Sequence, residues 1–87
     1  CQWLITFVLN TLGVMASIEQ IYKEIGKRIV KARTSKGMSQ EGLATESGID
    51  RSHMGFIEQG RRKPTLSTLH KITKALGISL EQLFRGL

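Results

Sequence analysis

Residues 39–59 read Ser-Gln-Glu-Gly-Leu-Ala-Thr-Glu-Ser-Gly-Ile-Asp-Arg-Ser-His-Met-Gly-Phe-Ile-Glu-Gln, and their punctuation decides the fold. Ser39 is an N-cap residue with Gln40 and Glu41 in the first turn behind it. Leu43 and Ala44 fall on one face, and Gly48 stops the helix. Gly42 is a poor N3 residue, because it is about 1 kcal/mol worse than Ala in a helix and lacks the acid that closes a capping box. Asp50 caps a second helix over Arg51–Gln59, stopped by Gly60. Only Gly48, Ile49 and Asp50 join the two helices. So tight a turn needs a residue at φ > 0, which Gly48 supplies. A steep crossing needs a small side chain at the contact, which Ala44 supplies. Leu43, Ile49, Met54 and Ile57 are then expected to bury together beneath the pair.

This is the helix-turn-helix pattern, in which the second helix projects its outer face toward a ligand. Upstream, Ser17 and Gln20 have capping-box spacing. Ile18, Ile21, Tyr22, Ile25, Ile29 and Ala32 follow at helical intervals, which predicts a first helix from Ser17 to a glycine cap at Gly37. Downstream, Pro64 ends a basic loop. Thr65 caps a fourth helix with Leu66, Leu69, Ile72, Ala75 and Leu76 as its apolar stripe and Gly77 as its stop. Ser79 with Gln82 is another capping box, opening a short fifth helix with Leu80, Leu83 and Phe84. The fold class is all-α, five helices with short links. Only Trp3–Leu9 could alternate as a strand.

The chain has 87 residues, 13 Lys plus Arg against 7 Asp plus Glu, and a net charge of +6. That length allows one small domain and excludes a multidomain enzyme. One cysteine makes no internal disulfide, and with His53 and His70 it does not supply the usual four-ligand zinc site. The basic balance favours an anionic partner, nucleic acid before membrane. Asp50, Ser52 and His53 crowd one helical turn, which excludes a nucleophile–base–orienter relay. No motif indicates a cofactor, metal or small-molecule effector.

All charge lies between Glu19 and Arg85, while eleven of the first 16 residues are apolar. Residues 1–16 are therefore read as an apolar N-terminal extension and 17–87 as the domain. Three readings of the extension stand: upstream sequence preceding a natural start at Met15, a packing or dimer-forming segment, or a membrane anchor. The run is short for a span, which takes about 20 apolar residues, and it has no basic n-region of a secretory signal.

Residues from about Ile25 to Phe84 resemble the Cro/repressor-type (XRE-type) helix-turn-helix family. The resemblance rests on Gly37-Met38-Ser39-Gln40-Glu41, Leu43-Ala44, Ser47-Gly48-Ile49, Ile57-Glu58-Gln59-Gly60, Pro64-Thr65-Leu66 and Leu69–Ile78. Within the family, Asp50–Glu58 is most similar to the controller proteins of restriction–modification systems. The resemblance implies a compact repressor-like DNA-binding domain in a cytoplasmic, non-catalytic transcriptional regulator. It implies a homodimer on a partly palindromic operator in double-stranded DNA, with RNA polymerase as a further partner. The rival reading is an antitoxin whose main partner is a toxin protein.

Arg51, Ser52, Gly55, Phe56 and Gln59 point away from Met54 and Ile57. Arg51 lies in the first turn of the recognition helix, where side chains reach base edges, and a bidentate Arg–guanine pair is the commonest specific contact. Ser52 can donate to a base or a phosphate. Phe56 either packs against a neighbouring helix or offers an apolar edge to a thymine methyl, and Gly55 permits close approach or is neutral. His53 either reaches a phosphate or packs on the second helix. Arg61, Arg62 and Lys63 are candidate phosphate clamps. By resemblance, Gln40 holds a phosphate at the start of the second helix, and Arg33 with Glu58 forms a structural ion pair. Leu80, Leu83 and Phe84 are expected to divide between the core and a two-fold interface.

Overall fold

The computed structural model describes the backbone from Gln2 to Leu87, and the side chains of residues 4, 5 and 18–87. It contains α1 (Gln2–Ser35), α2 (Gln40–Ser47), α3 (Arg51–Glu58), α4 (Leu66–Leu76) and α5 (Leu80–Phe84). There is no strand among the described residues. None of their helices is long and apolar enough to cross a membrane.

The caps read from the sequence hold the helix ends. Ser39 Oγ accepts from the Gly42 amide at 2.9 Å, and Thr65 Oγ1 accepts from the Thr68 amide at 3.2 Å. Ser79 and Gln82 close a reciprocal capping box. At the decisive turn Gly48 has φ 68°. The Gly48 amide donates to Thr45 O at 3.2 Å and the Ile49 amide to Ala44 O at 2.9 Å, so the last carbonyls of α2 are satisfied inside the turn. The same closure ends α1 at Gly37, α3 at Gly60 and α4 at Gly77.

Four readings of local signals are corrected. The first helix does not begin at Ser17 but runs through it without a break, and Trp3–Leu9 is helical rather than extended. Apart from Gly13, residues 2–16 hold no strong helix breaker, so nothing obliges the helix to start at a Ser that could have capped it. The compositional boundary after residue 16 is thus not a secondary-structure boundary. Asp50 does occupy the N-cap of α3, but its side chain makes no capping hydrogen bond. Gln59 is the C-cap residue of α3 rather than its last helical residue.

The core lies where α1 meets α3 and α5, and where α2 meets α4. Ile25, Ile29, Leu43, Ala44, Met54, Ile57, Leu69, Ile72, Leu76 and Leu83 are buried. Ile49 packs at its edge. Removing about 100 Å² of apolar surface from water contributes about 2.5 kcal/mol, so ten such side chains supply the main favourable term of folding. Two stripe positions miss the core: Ile18 is 42 % exposed and Leu66 is 63 % exposed. Leu66 is the first residue of α4, and its stripe reaches the interior only from Leu69 onward. Leu83 also needs correction, because at 1 % exposure it is core and cannot be an interface residue. Leu80 and Phe84 remain half-buried at the surface.

Candidate nucleic-acid interface

The turn at Gly48 sets α3 against α2 so that one side of α3 is buried and the other open. Met54, Ile57 and Glu58 face inward, while Arg51, Ser52 and Gln59 are exposed. A shallow groove of about 270 Å³ is lined by Gln40, Arg51, Ser52, Gly55, Phe56 and Gln59. Five residues singled out from the sequence as contacts thus share one wall with Gln59, the remaining outward position of α3. His53 is half-buried beside them and outside the lining set.

Phe56 resolves into a mixed role. It is half-buried, and the guanidinium of Arg62 lies over its ring at 5.6 Å from the centroid. A cation over an aromatic face is attracted by the ring quadrupole, so the basic loop folds back onto the groove. Arg61 and Lys63 are exposed on the same loop. Among the described residues, Arg51, Arg61, Arg62 and Lys63 take part in no ion pair. Among the described residues no carboxylate within ion-pair distance neutralises their charge.

The one carboxylate buried against this surface is neutralised. Arg33 Nε donates to Glu58 Oε2 at 2.9 Å, and Arg33 Nη2 donates to Glu58 Oε1 at 3.1 Å. The Glu58 side chain is 4 % exposed and that of Arg33 14 %. A bidentate pair of this kind is strong and geometrically specific. Arg33 Nη1 also donates to Met38 O at 3.0 Å, holding the segment that leads into α2. Gln40 Nε2 donates to Glu58 Oε1 at 3.0 Å. Gln40 therefore carries a fixed side chain at the groove rather than a free one. A Cβ on Gly55 would stand 3.6 Å from Gln40 Oε1, an ordinary contact, so Gly55 leaves space beside Gln40 without being sterically required.

Sequence reasoning missed Gly26, and it read Gly60 as a helix stop without its close approach to α1. A Cβ on Gly26 would stand 2.5 Å from the Glu58 carbonyl oxygen and 2.7 Å from that of Ile57, so α1 and α3 touch backbone to backbone. Gly60, at φ 74°, lies where a Cβ would meet Lys23 Cα at 2.9 Å. A glycine inside the apolar periodicity of the first helix was the available signal for Gly26. Arg28 was also missed. Its Nη1 donates to Leu83 O at 2.9 Å and Arg85 O at 2.5 Å, tying the end of α5 to α1.

A helix-turn-helix family profile matches residues 29–83. The chain is 44 % identical over 61 residues to the SPbeta prophage-derived uncharacterized HTH-type transcriptional regulator YonR of Bacillus subtilis, covering 70 % of this chain and 56 % of that protein. It is 40 % identical over 60 residues to the control protein C.MunI of a Mycoplasma species, covering 68 % and 81 % of the two chains. The crystal structure of the restriction–modification controller protein C.AhdI from Aeromonas hydrophila superposes with a TM-score of 0.71 at 43 % identity, covering 72 % of this chain and 96 % of that one.

Proposed function

The chain belongs to the helix-turn-helix family of XRE type, and from that premise we propose that it is a sequence-specific, DNA-binding transcriptional regulator of the controller-protein kind. The observation that carries this reading is the groove on α3, lined by the exposed Arg51 and Ser52, with Arg61, Arg62 and Lys63 on the loop that follows. Arg51 and Ser52 enter the major groove and read base edges. Phe56 lends its exposed edge to a thymine methyl and its face to Arg62. Arg61, Arg62, Lys63, Gln40 and His53 hold the phosphates, which set affinity and register but carry no sequence information. Residues 17–87 carry this activity.

Two copies act together. Leu80 and Phe84 leave part of α5 apolar at the surface, and pairing α5 across a two-fold axis covers it. Recognition helices about 34 Å apart then meet half-sites one turn of DNA apart. Bound to its operator, the dimer blocks RNA polymerase at one promoter or touches it at another. No group of the protein acts on a substrate in this mechanism.

Fluorescence anisotropy with the duplex upstream of its own coding sequence tests the reading. Arg51→Ala is expected to lose the preference for that duplex over a scrambled one while keeping weak binding to both. Equal binding of the unaltered chain to the two duplexes would overturn it.

A further inference from the structure

Glu58 makes more contacts than an ion pair requires. Its Oε1 accepts from Arg33 Nη2 at 3.1 Å and from Gln40 Nε2 at 3.0 Å, while Oε2 is taken by Arg33 Nε at 2.9 Å. Three elements converge on this carboxylate: α1 through Arg33, the first residue of α2 through Gln40, and α3 through Glu58 itself. Only the Gln40 side chain continues from there into the groove beside Arg51 and Ser52. A glutamine side chain on a surface has three rotatable bonds and loses entropy when a ligand fixes it. Here part of that ordering is complete before any ligand arrives. One Nε2 hydrogen is committed to Glu58, so the amide plane is anchored. The second hydrogen and Oε1 remain for an external partner.

We propose that Glu58 is a positioning residue for DNA binding: with its charge cancelled by Arg33, it orients the Gln40 amide toward the nucleic-acid backbone. The proposal rests on the regulator reading and adds a specific path, from a buried ion pair to one contact at the start of α2. It has a sign that distinguishes it from electrostatics. Replacing Glu58 by Leu removes both a negative charge and the acceptor of the Gln40 amide, and charge alone then strengthens attachment to a polyanion. Loss of positioning weakens it. The path also differs from a clamp by Lys or Arg. Gln40 is neutral and displaces no counterion, so its loss lowers affinity at every salt concentration without changing the salt slope.

The test uses the full chain and the duplex upstream of its coding sequence, at a temperature where each variant is folded by circular dichroism. Gln40→Ala and Glu58→Leu are each expected to bind about tenfold more weakly, the loss of one ordinary hydrogen bond. The double variant is expected to bind no more weakly than either single one, and the salt slope of Gln40→Ala should equal that of the unaltered chain. Tighter or unchanged binding by Glu58→Leu per folded molecule overturns the proposal, as do additive losses in the double variant. Neither result disturbs the regulator reading, which fails only if the unaltered chain shows no preference for the upstream duplex. A second measurement avoids the variant that destabilises. In the ¹H–¹⁵N spectrum of the unaltered chain, one Gln40 side-chain amide proton should lie downfield of the exposed-amide range. A Gln40 pair at exposed-amide positions overturns the proposal without any substitution.

Discussion

Gly26 lies directly against the carbonyl of Glu58: a Cβ there would stand 2.5 Å from the oxygen and 2.9 Å from the carbonyl carbon. Backbone, unlike the end of a flexible side chain, cannot move aside, so α1 and α3 must separate to admit one methyl group. Elsewhere in a helix, Ala for Gly gains about 1 kcal/mol. Here overpacking reverses the sign, and Gly26→Ala is expected to destabilise the fold by about 3 kcal/mol in urea unfolding. A stabilised variant would show that the helices do not approach this closely.

The ion pair between Arg33 and Glu58 is buried enough that losing one partner leaves a charge in the interior. Arg33→Met alone or Glu58→Leu alone should each cost about 3–5 kcal/mol, and the double substitution should cost less than the sum. Chemical denaturation of the four proteins of the cycle measures this. Additive effects would mean that the two groups are not coupled.

Arg62 over Phe56 predicts a smaller coupling, at the surface. A double-mutant cycle with Phe56→Leu and Arg62→Gln should return about 0.5–1 kcal/mol in stability. Both single variants should weaken binding to the upstream duplex. Only Arg62→Gln should lower the salt slope, by about one unit, since only it removes a charge.

The proposed pairing of α5 gives its two leucines different roles, Leu83 in the core and Leu80 at the dimer contact. Leu83→Ala should unfold the chain by about 2–5 kcal/mol, because Leu83 is 1 % exposed. Leu80→Asp should leave the monomer folded and abolish the dimer. Sedimentation and thermal melts of both variants distinguish these outcomes. A Leu83→Ala chain as stable as the unaltered one, or a dimer that survives Leu80→Asp, would contradict the assignment.

What could be read in advance was local. Ser39, Thr65 and Ser79 cap their helices because the cap bond is made within three residues, and Gly37, Gly48, Gly60 and Gly77 close theirs for the same reason. The outward face of α3 followed from helical period alone, so Arg51, Ser52, Phe56 and Gln59 were legible together. Other features depend on distant elements. Ser17 could cap a helix, but a capping signature permits a start without forcing one. Leu83 and Leu80 cannot be told apart by period in a five-residue helix; Leu83 enters the core while Arg28 ties the end of α5 to α1. The need for glycine at position 26 arises from the backbone of another helix, and the bond from Gln40 to Glu58 exists only once α2 and α3 have docked.

The measurement that bears most directly on the central claim is a salt-resolved comparison of the unaltered chain on its upstream duplex and on a scrambled duplex of the same composition. The account predicts that binding to both weakens as salt rises, because phosphate contacts release counterions, while the preference for the upstream duplex persists at high salt. Equal affinity for the two duplexes, collapsing together with salt, would contradict it.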